Sequence, residues 1–171
     1  MLSAVVALPP AKQVRDQLGE LLGREVALGP GAPVLPGPRD PALVAVFVDP
    51  RLRLAGLLAL DARLSVVVGA THLLLPPAVG SEALAHWFLP PLLVAGARDV
   101  VAGLGGLFAG VGEPPRLHAV HAPGELPPAD VSAWLRVPAP RRDLRVSVAG
   151  YGGGRLSLVI PPPEADLASR R

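Results

Sequence analysis

The sequence predicts an α/β (α+β) fold, an antiparallel sheet packed with long helices. Three observations predict it: amphipathic spacing near the N-terminus, a long apolar stretch over residues 81–112 whose second half repeats at helical spacing, and a change to period-two alternation after Pro114-Pro115. Half of the 171 residues are hydrophobic, enough for one domain with a real core. With only two Trp, one Tyr and three Phe, that core must be built from Leu, Val and Ala.

The first predicted helix is Ala11–Leu22, with Val14, Leu18, Leu21 and Leu22 on one face, Pro9-Pro10 before it and Gly23 after it. Residues 29–41 (GPGAPVLPGPRDP) hold too much Pro and Gly for a helix or a central strand and are expected as a linker or a meandering edge. Ala42–Val48 (ALVAVFV) and residues 52–60 are expected as two antiparallel strands, joined by a turn at Asp49-Pro50 that Arg51 completes. The unbroken apolarity of the first implies cover on both faces, and Gly56 marks a bulge or close packing in the second. Asp61 is then placed to N-cap a helix that runs to Leu75 and ends at Pro76-Pro77, although Val66, Val67 and Val68 keep a strand as the alternative.

Ser81-Glu82 opens the central element. Pro90 and Pro91 lack amide donors and crowd the preceding turn, at a cost of about 3 kcal/mol in a helix interior, so a kink or restart is expected there. The second piece runs to Phe108, burying Val100, Val101, Leu104 and Phe108, and Gly110 and Gly112 end it. Beyond Pro115, residues 116–122, 131–137, 144–149 and 155–160 are expected as strands, the last two joined by a glycine-rich hairpin loop over 150–154. The expected organisation is an N-terminal helical segment (1–28), a linker (29–41), an α/β domain (42–162) and a tail (163–171).

Composition excludes several function classes. The absence of cysteine removes disulfides, thiolate metal sites and a Cys nucleophile, and suits a cytoplasmic protein. Fifteen Arg and one Lys give a net charge of only +2, and the basic doublets Arg141-Arg142 and Arg170-Arg171 are not interleaved with aromatics, which argues against nucleic acid as a partner. Residues 64–79 are too short for a membrane span and the later apolar run is broken by Arg98-Asp99, so no span is expected. The N-terminal MLSAVVALPPAKQ has no basic region before its apolar stretch, so no signal peptide is expected either.

His118 and His121 stand three apart in an expected strand, where such residues point to opposite faces; they are not expected to share a metal ion. His72 and His86 are isolated. Gly103, Gly105 and Gly106 lack the third glycine of a dinucleotide fingerprint and the lysine of a phosphate loop, and no cofactor is expected. No serine lies in a nucleophile-elbow motif. Trp87-Phe88 cannot both face one core from adjacent helical positions, so either one is open to a partner or both are wedged into the kink.

The element order, Gly56 in the second strand, the final LRVSVAGYGGGRLSLVI hairpin and the helical ARDVVAG, similar to ANIIAG, together resemble the CheC/CheX chemotaxis phosphatases and the middle domain of the flagellar switch protein FliM. The resemblance covers roughly residues 42–160. It implies a helix carrying a glutamate and, three residues on, an asparagine, which together reach an aspartyl phosphate on a partner, with a proline at the start of a later strand. Carried onto this chain, the glutamate position is Gly96, the asparagine position is Asp99 and the proline is Pro123. A carboxylate in place of an amide opposes the phosphoryl charge, and Gly96 removes the acid, so the resemblance implies a degenerate, non-catalytic member. Trp87, Phe88, Arg98, Asp99 and Pro123 are then the candidate contacts to a response regulator or other signalling protein, or to a second copy in a homo-oligomer. Two alternatives stand beside this: an active phosphatase with shifted residues, for which Glu82, Asp99 and Glu113 are the nearby acids, and an unrelated structural domain.

Overall fold

A computed structural model describes residues 7–86, 89–109, 113–138 and 140–161. The elements follow in the order α1 (Ala11–Leu22), β1 (Val26–Pro30), β2 (Ala42–Val48), β3 (Leu54–Asp61), α2 (Ala62–His72), α3 (Pro77–Ala85), α4 (Pro91–Ala102), β4 (Arg116–His121), α5 (Ala129–Trp134), β5 (Arg141–Val148) and β6 (Gly152–Val159). The six strands form one sheet in the order β1-β5-β6-β3-β2-β4, with every neighbouring pair antiparallel. This is the α+β architecture expected from the sequence. The tail lies outside the described residues, as do Gly110 and Gly112.

Both faces of the sheet are covered, which is why β2 is buried along its whole length. On one face Leu43, Ala45 and Phe47 of β2 meet Leu58 and Leu60 of β3, Leu156 and Leu158 of β6, and the apolar sides of α1, α2 and α4. Alternate residues point the other way: Val44, Val46, Leu57, Ala59 and Val159 pack under Val34 and under Val131 and Leu135 of the α5 region. Helix α1 places Val14, Leu18 and Leu22 in the same core as the central strands, so residues 11–30 belong to one packed body with the sheet.

Local chemistry sets the element ends. Asp61 is the N-cap of α2, its carboxylate accepting from the Leu64 N–H at 2.8 Å. Pro76 and Pro90 precede α3 and α4, and Pro77 and Pro91 occupy their first turns, where a missing N–H costs nothing. The Gly23 N–H donates to the Gly19 carbonyl at 2.9 Å in a left-handed cap at φ 62, which ends α1.

Three expectations need correction. Residues 131–137 are not a strand: α5 spans Ala129–Trp134, because Val131 and Leu135, four apart, both dive onto the second face of the sheet. Gly29 and Pro30, in the stretch expected as a linker or a meandering edge, end β1 at the sheet edge, where a missing N–H faces outward. Helix α2 ends at His72 and Pro76-Pro77 starts α3 instead of terminating α2; Leu74 between them adopts φ 56. The chain restarts at Pro90 as expected, but α4 ends at Ala102 and does not reach Phe108; a short 3-10 turn, Gly105–Phe108, carries Phe108 onto Phe47, with ring centroids 4.9 Å apart. Gly56 lies directly beneath the Phe108 ring, so its role is close packing.

Helices α2 and α4 cross through two glycines. A Cβ on Gly69 would run into the Leu93 carbonyl oxygen; a Cβ on Gly96 would lie 3.0 Å from the Gly69 carbonyl oxygen and 3.0 Å from Leu73 Cδ1. Backbone meets backbone there, and no larger residue fits without moving a helix.

We expect Gly69→Ala to destabilise the domain by about 1–3 kcal/mol, as overpacking of a tight contact does, measured as a lower urea midpoint at unchanged m. The β2–β3 turn offers a second test. Asp49 accepts from the backbone N–H groups of Arg51 and Arg53 at 2.8 and 2.9 Å and from Arg53 Nε at 2.8 Å. Partial burial pushes its pKa up, but the donors from Arg53 and Arg51 outweigh this and hold it below the ordinary 3.8. A pKa lowered by folding stabilises the protein above the unfolded pKa and ceases to do so as pH falls through the folded one. Asp49→Ala should therefore cost about 1–2 kcal/mol at neutral pH. The gap between wild type and variant should narrow from about pH 5 to pH 2 in urea titrations.

Candidate functional site

The outward face of α4 is fixed by its packing. Leu93, Gly96, Ala97, Val100 and Val101 are buried against α2 and the sheet, so Leu92, Ala95, Arg98, Asp99 and Ala102 face solvent. Arg98 and Asp99 thus form an exposed polar stripe on an otherwise apolar helix. Gly96, three residues before Asp99, points instead into the α2 crossing and is buried.

His72, isolated in the sequence, comes from the last turn of α2 to within 3.7 Å of Asp99, measured from Nε2 to Oδ2. The distance is long for a hydrogen bond, and the pair is ionic only when the imidazole is protonated. The Asp99 side chain is 68% exposed and that of His72 35%. Both groups are open to water and can hold a partner's polar group.

Among the described residues, no hydrogen bond or ion pair joins the other candidates to this stripe. Pro123 lies in the turn after β4, not at the start of a strand as the resemblance implies; Gly124 beside it adopts φ 93 and the Ala122 N–H donates to Glu125 Oε2 at 3.1 Å. Trp87 and Phe88 lie outside the described residues. Glu82 on α3 and Glu113 before β4 are exposed. His118 falls where the β2–β4 register shifts, while His121 pairs with Val44. Among the described residues no group of three or more His, Asp or Glu could hold a metal ion, and no helix is long and apolar enough to cross a membrane.

Three contacts escaped the sequence reading. Ser157, fully buried, donates to Asp143 Oδ1 at 2.6 Å and accepts from the Val34 N–H at 2.8 Å, while Arg141 grips the same carboxylate through Nε and Nη2. Arg155 bridges Asp40 at 2.6 Å and Asp61 at 3.3 Å and donates to the Pro33 carbonyl. Tyr151, in the last hairpin, donates to the Leu75 carbonyl at 2.6 Å and lies under the Arg24 guanidinium. Apart from Arg141 and Asp143, which are two residues apart, these partners are distant in sequence, so no motif announces them.

No protein-family model matches the sequence, and no curated protein matches it. Solved structures do match the fold. The FliM middle domain from Vibrio alginolyticus superposes with a TM-score of 0.53 at 13% identity, over 88% of each chain. The FliM middle domain from H. pylori gives a TM-score of 0.50 at 15% identity, over 88% of this chain and 84% of that one. A chain of the FliG–FliM complex from H. pylori gives 0.50 at 13% identity, over 92% and 90%. At these identities the likeness is one of backbone architecture, and it agrees with the resemblance carried by the element order and the final hairpin: this chain has the fold of the FliM middle domain.

Proposed function

We propose that this chain is a non-catalytic interaction domain of a chemotaxis or flagellar-switch type assembly, cytoplasmic, docking through the exposed face of α4 to a response-regulator-type partner. One observation carries the reading. The position that the resemblance assigns to the phosphatase glutamate is Gly96, which is buried at the α2–α4 crossing, so α4 presents Asp99 and Arg98 to solvent without an acid–amide pair. The likeness to a chain of a FliG–FliM complex supports protein docking as the activity of this architecture. Arg98 and Asp99 offer one charge of each sign, suited to orienting a partner more than to holding it tightly.

The test is the decay of a phosphorylated response regulator with and without added protein. No acceleration is expected, whereas acceleration abolished by Asp99→Ala would establish an active phosphatase with shifted residues. Binding of the same regulator, followed by calorimetry, should weaken with Arg98→Glu. Installing the acid should not restore chemistry: Gly96→Glu forces a carboxylate between Leu73 and the Gly69 carbonyl, and we expect a loss of about 1–3 kcal/mol or more in stability with no gain in phosphatase rate.

A further inference from the structure

Helix α1 and strand β1 frame a cleft of about 730 Å³, lined by Ala11, Lys12, Arg15, Asp16 and Gly19 on the helix side and by residues 24–28 on the strand side. Among the described residues β1 pairs with β5 alone and is the end of the sheet. Two hydrogen bonds at its limits fix which groups face inward. The Ala149 N–H donates to the Glu25 carbonyl at 2.9 Å, and the Gly31 N–H to the Asp143 carbonyl at 3.2 Å. In an antiparallel ladder bonded residues alternate, so residues 25, 27, 29 and 31 face β5, and Val26 and Leu28 turn both N–H and C=O outward. Pro30 falls on the outward set, where it has only a carbonyl to offer. Among the described residues, an edge with two complete sets of backbone groups that no strand pairs, beside a helix-walled cleft, is the geometry of strand addition.

The side chains define the guest. The rim carries Lys12, Arg15 and Arg24 against Asp16 and Glu25. Asp16 is already engaged by Lys12 Nζ at 2.8 Å and Arg15 Nη2 at 3.0 Å, and the hydrogen bonds from Lys12 and then Arg15 hold its pKa below the usual carboxylate range. The rim is therefore left with an excess positive charge. Arg24 is held in place over the Tyr151 ring, 5.0 Å from its centroid. Below the rim, Val26 is buried and Leu28 packs on the core, while Ala11 and Gly19 leave room between helix and strand.

We propose that this cleft binds an extended acidic peptide segment of a partner protein, which adds to the sheet along β1 by hydrogen bonds to Val26 and Leu28 and sets its carboxylates against Lys12, Arg15 and Arg24. The cleft shares no lining residue with the α4 stripe.

The probe is a short fluorescein-labelled peptide of alternating valine and glutamate, titrated against the full chain by fluorescence anisotropy, with an alternating valine–lysine peptide as its counterpart. Saturable binding of the acidic peptide is expected, with at least roughly tenfold weaker binding of the basic one. Hydrogen exchange at the Val26 and Leu28 amides should slow when the acidic peptide is added. The double variant Lys12→Glu, Arg24→Glu alters only exposed side chains and should reverse the preference; Leu28→Pro removes an outward N–H and should abolish binding. Should Leu28→Pro unfold, the charge variant still decides. Equal binding of both peptides, or protection at β4 instead of β1, would overturn the proposal. So would Val26 and Leu28 amides already protected in the free chain, or protected only as protein concentration rises, the last pointing to a second copy as the occupant.

Discussion

Where α2 crosses α4, two glycines bring one helix backbone against the other, and much of the molecule is arranged around that contact. Gly69 receives the Leu93 carbonyl and Gly96 receives that of Gly69. Because α2 is capped by Asp61 at the end of β3, the crossing ties α4 to the centre of the sheet. It also decides which way α4 turns: with Gly96, Ala97, Val100 and Val101 inward, Arg98 and Asp99 have no choice but solvent. The same atoms that make the packing tight leave no room at Gly96 for a larger side chain.

The other face of the sheet is closed differently. Apolar side chains alone do not cover it; the segment before β2 lies across the strands and is fastened by ions. Arg155 links that segment, through Asp40 and the Pro33 carbonyl, to Asp61 and so to the α2 cap. Burial lowers the Arg155 pKa, but the hydrogen bond and charge of Asp40, and then Asp61, outweigh it and raise the value, so its charge is fixed at every pH the fold survives. Ser157 and Arg141 share Asp143 in the same manner. The described residues leave no buried side-chain polar atom without a partner, so the desolvation cost of these networks is offset by hydrogen bonds.

Features written in adjacent residues were legible from sequence. The Asp61 cap, the doubly covered β2, the limits of α1 and the Pro90 restart each depend on neighbours in the chain. The VSAWLRV stretch misled because Val131 and Leu135 satisfy both a period of two and a period near four; the Pro127-Pro128 and Asp130 start signal favoured the helix. β1 was hidden because Gly29 and Pro30 disqualify a central strand but not an edge one. Gly96 was visible only as a missing acid, since its reason for being small is Gly69, twenty-seven residues earlier. The approach of His72 to Asp99 was invisible for the same cause.

The strand order has a kinetic side. β2–β3 and β5–β6 are hairpins whose strands are close in sequence, able to pair early and separately. The seam between them joins Leu57 to Val159 and closes a loop of roughly a hundred residues, an entropic cost that grows only with the logarithm of length but must be met before the seam's contacts form. Every helix from α2 to α5 lies inside that loop. The central seam is therefore the step at which two local units become one domain.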